Sequence, residues 1–185
     1  MNFNMHYDLK GKHSFLSPSK YYWTNWDEDK IETSFHNFMA SARGTRLHEF
    51  AAEAISLGVK LQNNKTTLSM YVNDAIGYKM TPEQPLYYSD NCFGHADAIS
   101  FRRNVLRIHD LKTGEITPGS MKQLEIYAAL FCLEYHVDPY SIKFELRIYQ
   151  FDQVICHEPD PEVIEDIMTK IITFDKKIDL LKSEE

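Results

Sequence analysis

Cysteine is scarce in these 185 residues: Cys92, Cys132 and Cys156 are odd in number, widely spaced and without a CxxC pair. They argue against a disulfide framework and a zinc ribbon, and they suit a reducing cytoplasm. Long apolar runs are missing too. The longest stretch free of charged or strongly polar side chains is residues 126–133, far short of the roughly 20 residues that span a bilayer. The Met1 to Asp8 stretch is polar and does not read as a secretory leader. The expectation is a soluble, cytoplasmic protein with no membrane partner.

Repeats, low-complexity tracts and Gly/Ser/Pro linkers are absent as well. A single domain over 1–185 is therefore expected, with N-terminal helices over 17–43, a chemistry-bearing core over about 44–157 and a C-terminal helix over 160–182. Hydrophobic residues make up 43% of the chain, enough for one sizeable core at this length and too little for two. Positive charge is in deficit, with a formal net charge of -7. That is unusual for a nucleic-acid binder, whose affinity rests on Lys and Arg against phosphates. A carboxylate site for a divalent cation needs negative charge, however, and a local basic strip can coexist with an acidic remainder. Lys and Arg are mixed through the chain instead of purged from it, which discounts an acidic mimic of DNA.

The periodicity supplies an order of elements. Ser17-Pro18 reads as an N-cap with proline at the first helical position, opening a short aromatic helix through Tyr21, Tyr22 and Trp23. Asp27 to Ser56 is helical in pattern with a break expected near Gly44 and Gly58 as a C-cap, and a further helix covers about Thr67 to Tyr78. Cys92 to Phe101 and Val105 to Lys112 read as an antiparallel hairpin turning at Arg102-Arg103-Asn104. A helix follows from Pro118 to about Glu134, then strands over Ile142 to Phe151 and Val154 to His157, and an amphipathic helix over Pro161 to Leu181.

Four D-x-K or E-x-K triplets occur, at Asp8, Glu28, Asp110 and Asp175. Three fall near a terminus or on helical, solvent-facing stretches and read as solvated charge runs. Asp110-Leu111-Lys112 differs because it ends an apolar strand, where alternation puts Leu106, Ile108, Asp110 and Lys112 on one face. Charges at the end of a core need a partner or a metal. Asp97 lies on the preceding strand, 13 residues earlier, so the hairpin can bring the two carboxylates side by side. Adjacent carboxylates repel unless a cation sits between them, and hard oxygen donors suit Mg2+ or Mn2+. His48 shares a helix side with Ala51, Ala52 and Ile55, while Gln123 and Tyr127 share another helix face.

Taken in order, GTRLHE at 44–49, GHAD at 94–97, DLKTG at 110–114 and QLEIY at 123–127 resemble the RecB-like exonuclease branch of the PD-(D/E)xK nuclease superfamily. Ser17-Pro18-Ser19-Lys20 resembles the serine-rich start common in that branch. The resemblance implies an α/β restriction-endonuclease-like core, a central mixed β-sheet with an antiparallel hairpin flanked by helices. It implies that His48, Asp97, Asp110 and the main-chain carbonyl of Leu111 hold Mg2+ or Mn2+, that Lys112 orients the attacking water, and that Gln123 and Tyr127 support the lysine and the substrate backbone. Glu49 then faces elsewhere or toward an outer contact, His95 is a further residue able to approach Asp97, and His109 points away and is structural. Arg43, Arg46, Lys20, Arg102, Arg103 and Lys122 flank these segments as phosphate-contact candidates. Iron-sulfur members of the branch use four cysteines, more than this chain has, so the resemblance is to cluster-free RecB-like or phage recombination-type exonucleases.

The implied activity is metal-dependent DNA exonuclease hydrolysis in recombination, repair or genome processing, leaving a 5'-phosphate and a 3'-hydroxyl. The implied partner is DNA, single-stranded or linear duplex, with room for an oligomer and for a recombination or replication partner protein. The alternatives are a non-catalytic nucleic-acid or protein-binding module that keeps the fold, and a structure-specific endonuclease.

Overall fold

The computed structural model describes residues 14–114 and 118–184. The Asp8 triplet lies outside them. The chain gathers into two compact units, Met1–Thr45 and Arg46–Glu185.

The first unit holds a 3-10 helix, Pro18–Asn25, and the early turns of α1, Glu28–Leu57. Pro18 sets the first helical φ, as the sequence suggests, but the Ser17 side chain makes no capping bond; it is the Ser17 carbonyl that accepts from Trp23 Nε1 at 3.0 Å. The predicted break at Gly44 does not occur, since α1 is continuous through it. A single glycine inside a helix costs only about 1 kcal/mol relative to alanine, too little to stop a helix that has other support. Gly58 does end it, with φ +68 and its N–H on Ile55 O.

The second unit is built on a five-stranded sheet in the order β1 (Thr81–Ser89), β2 (Cys92–Arg102), β3 (Val105–Leu111), β4 (Lys143–Gln150), β5 (Gln153–His157). Neighbours are antiparallel except β3 and β4, which are parallel and joined through α3 (Pro118–Glu134). The mixed sheet flanked by helices matches the expected α/β class. Alternation along β3 divides the core in two. Leu106 and Ile108 pack with Leu124 and Ala128 of α3 and Ile164 of α4 (Pro161–Ser183), whereas Leu111 packs with Tyr71 and Val72 of α2 (Thr67–Gly77) and with Ala51 and Ile55 of α1. Both layers bury large apolar side chains, which is the main source of stability for such a fold.

Strand β1 has no counterpart in the sequence reading. Pro82 and Pro85 disguise it: proline cannot donate to a ladder and marks an edge strand, and β1 is one edge of the sheet. No helix among the described residues is long and apolar enough to cross a membrane.

Candidate active site

The hairpin fixes the two central carboxylates. Ala98 pairs with His109 across β2 and β3, so the next residues toward the open end are Asp97 and Asp110. On β2 the alternation of faces is interrupted at this point: Ala96 belongs to the core under α3 and Ala98 to the core under α2, although they are two residues apart. Opposite, Glu83 falls between the pairs Pro82 with Ala98 and Gln84 with Ala96, and has φ +49. Such a φ is strained for a residue with a β-carbon. Both irregularities turn side chains without inserting a residue, since the pairing keeps one register from Pro82 to Gln84.

Their effect is to assemble a donor cluster. One donor atom each from His48, Glu83 and Asp97 lies within 4.8 Å of the others. His48 Nδ1 is 3.3 Å from Asp97 Oδ2, and the same oxygen accepts the Leu111 N–H at 3.0 Å. Burial raises the Asp97 carboxyl above its usual range, opposed by His48 and by the Leu111 amide. Leu111, expected to act through its carbonyl, thus contacts the cluster through its N–H.

Asp110 is 3% exposed, and its carboxyl is pushed up to about 6, first by burial and then by the neighbouring charge of Asp97. Lys112 opposes this. Lys112 Nζ lies 3.0 Å from Asp110 Oδ1 and 3.2 Å from Gln123 Oε1, and Gln123 Nε2 donates to Tyr127 OH at 3.0 Å. The lysine is therefore held from two sides, and Gln123 is oriented by a residue one helical turn on. Gly94 makes room for this chain of contacts, since a β-carbon there would come within 2.9 Å of Tyr127 Cε1. Asp110 Oδ2 is buried with no hydrogen-bond partner. Tyr71 stays a neutral phenol, its pKa raised by burial and by Asp97, Glu83 and Asp110.

The donor chemistry suits a divalent cation: carboxylate oxygens with one imidazole, crowded enough to repel one another, and a buried oxygen left without a partner. Of the residues expected from sequence, His48, Asp97 and Leu111 form one contact group, and Asp110, Lys112, Gln123 and Tyr127 another. Glu83 was missed. No local motif marks it, because its approach to Asp97 depends on pairing β1 with β2. His95 is exposed and Glu49 is exposed, and neither joins the cluster. His109 lies on the opposite face, 3.2 Å from Tyr149 OH through Nδ1, as a structural residue. Arg102 and Arg103 sit at the turn beyond the far end of β3, about 17 Å from Asp110 at roughly 3.3 Å per residue, and Lys122 is paired with Glu125 at 2.6 Å. No family model matches the chain, and no curated protein is similar enough to match it.

Proposed function

We propose that the chain is a metal-dependent deoxyribonuclease of the PD-(D/E)xK type, an exonuclease similar to the RecB-like branch, acting in recombination, repair or genome processing. The observation that carries the reading is Asp110: one oxygen bound to a lysine that is itself held by a glutamine, the other buried without a partner beside Asp97. Asp97, Asp110, His48 and Glu83 are the side chains that would hold Mg2+ or Mn2+. When bound, the cation supplies Lewis-acid chemistry, polarising a phosphoryl oxygen and lowering the pKa of water. Lys112 keeps its ammonium aimed at the carboxylates, where it donates to the attacking water or to the phosphoryl oxygen on which charge develops. Gln123 and Tyr127 hold that ammonium in place, which limits the entropy lost in reaching the reactive geometry.

A binding module that merely kept the fold would have no use for a lysine locked between Asp110 and Gln123. The test is incubation of the purified protein with linear duplex, single-stranded and covalently closed circular DNA, each with Mg2+, Mn2+ or EDTA. Linear DNA is degraded with either metal, circles survive, and EDTA stops the reaction. Rapid cutting of closed circles would make the enzyme an endonuclease; no cutting of any substrate would refute hydrolysis.

A further inference from the structure

Within the first unit, Phe15, Tyr22, Trp23, Trp26 and Phe38 wall a cavity of about 430 Å3. The rings are packed against one another, with Tyr22 and Trp26 centroids 5.9 Å apart, Phe15 and Trp26 6.1 Å apart, and Phe15 and Phe38 5.3 Å apart. The floor is not apolar. Ser34, Asn37 and Ser41 recur at helical spacing on α1 and face into it with Phe38. None of their side chains makes a hydrogen bond within the described residues. Lys20 is the one charged side chain in the lining, and it is in none of the ion pairs among the described residues.

We propose that this cavity receives an unpaired nucleobase of a DNA strand. The identity of the occupant rests on the nuclease reading above; the chemistry of the cavity narrows it further. A flat π-face suits the aromatic walls, and base stacking on such rings tolerates any sequence. Polar edges on the base satisfy the Asn37 amide and the two serine hydroxyls, which a purely apolar ligand would leave unpartnered at a cost. A phosphate one bond beyond the sugar reaches for a cation, and Lys20 supplies it. An aromatic side chain of a protein partner offers the face but neither the polar edges nor the anion. A volume of about 430 Å3 admits one nucleoside with its phosphate at the mouth.

Trp23 and Trp26 are the chain's two tryptophans and both line this cavity, so its tryptophan emission reports on it directly. The experiment is an emission titration of the full chain in EDTA, where hydrolysis cannot proceed, with three probes: a ten-nucleotide single strand, the same length of abasic strand, and a blunt hairpin duplex. The single strand quenches emission saturably; the abasic strand and the duplex do not. Phe38→Leu weakens single-strand binding by about 5- to 150-fold, the scale of one stacked base. Lys20→Ala reduces the slope of log affinity against log salt by about 0.7, one phosphate contact on a single strand. Circular dichroism matching wild type guards both variants against misfolding, and anisotropy of a labelled strand repeats the measurement without relying on the tryptophans. Equal binding of the abasic strand, or emission unmoved by every probe, overturns the proposal. Absent quenching alongside metal-dependent cleavage removes this inference alone, whereas quenching without cleavage under any cation removes the catalytic reading and leaves the base site standing.

Discussion

Lys112 Nζ lies 3.0 Å from Asp110 Oδ1, while the other oxygen of the same carboxylate is buried and unpartnered. One half of Asp110 therefore positions a lysine and the other half is free to meet a cation. Lys112→Ala should reduce DNA cleavage by at least about 10²- to 10³-fold, the scale of losing one group that stabilises developing charge. Calorimetric Mn2+ titration of the same variant should stay close to wild type, since an ammonium is no metal ligand. A variant that lost metal binding as well would mean that the lysine supports the donor cluster and not the reacting phosphate.

Asp110 should also make the metal-free protein less stable at neutral pH. Its carboxyl is pushed up to about 6 in the fold from an ordinary 3.8, so it binds its proton more tightly folded than unfolded. The sign follows from that difference: its contribution is fully present below about pH 3.8 and is lost as pH rises through 6. Without metal at pH 7, Asp110→Asn should gain up to about 3 kcal/mol in urea unfolding. With saturating Mn2+ the order should reverse, because only the wild type binds the ion tightly. Equal stability without metal would show that the carboxylates are not crowded.

His109 has the opposite dependence. Burial, then Arg147 and Arg107, hold its imidazole down to about 3. The folded state keeps it neutral while the unfolded chain protonates near 6.5, so its contribution is present above pH 6.5 and is lost as pH falls toward 3. Between pH 7 and pH 5 this amounts to about 2 kcal/mol. In metal-free urea unfolding, His109→Gln should show a correspondingly weaker loss of stability over that window than its parent. Parallel profiles for the two proteins would remove the buried neutral imidazole from the account.

Gly94 and Tyr127 couple the hairpin to α3. Gly94→Ala forces the ring away from a contact of 2.9 Å, and with it Gln123 and then Lys112. The expected cost is about 1–3 kcal/mol of stability and a fall in cleavage approaching 10²-fold, as for a misplacement of about 1 Å. Tyr127→Phe keeps the ring and removes only the hydroxyl that accepts from Gln123, so it should lower the cleavage rate with less effect on the unfolding midpoint. Retention of full activity by both variants would confine this contact chain to packing.

Glu83 is the residue to which metal titration speaks most specifically. Glu83→Gln keeps the shape and removes the charge, and should weaken Mn2+ binding by about 10- to 100-fold while relieving repulsion around Asp97. Unchanged affinity would place Glu83 outside the donor set.

Much of this was readable from residue order. The hairpin, α3 and α4 announce themselves by alternation or helical spacing bounded by Pro118, Pro161 and the Arg102 to Asn104 turn. The contacts bring His48 to Asp97 and join Asp110, Lys112, Gln123 and Tyr127 in a second group. β1 and Glu83 were not readable. Two prolines mask the strand, and the carboxylate comes to Asp97 by strand pairing and by a positive φ that no local pattern encodes. The uninterrupted α1 escapes a local reading for a different reason: one glycine costs a helix only about 1 kcal/mol, too little to end it.

The most direct measurement is release of nucleotides from end-labelled linear DNA in Mn2+, comparing wild type with Asp97→Ala and Asp110→Asn. The account predicts steady degradation by wild type, abolished by EDTA, and no product above background from either variant. Cleavage at the wild-type rate by either variant would contradict it.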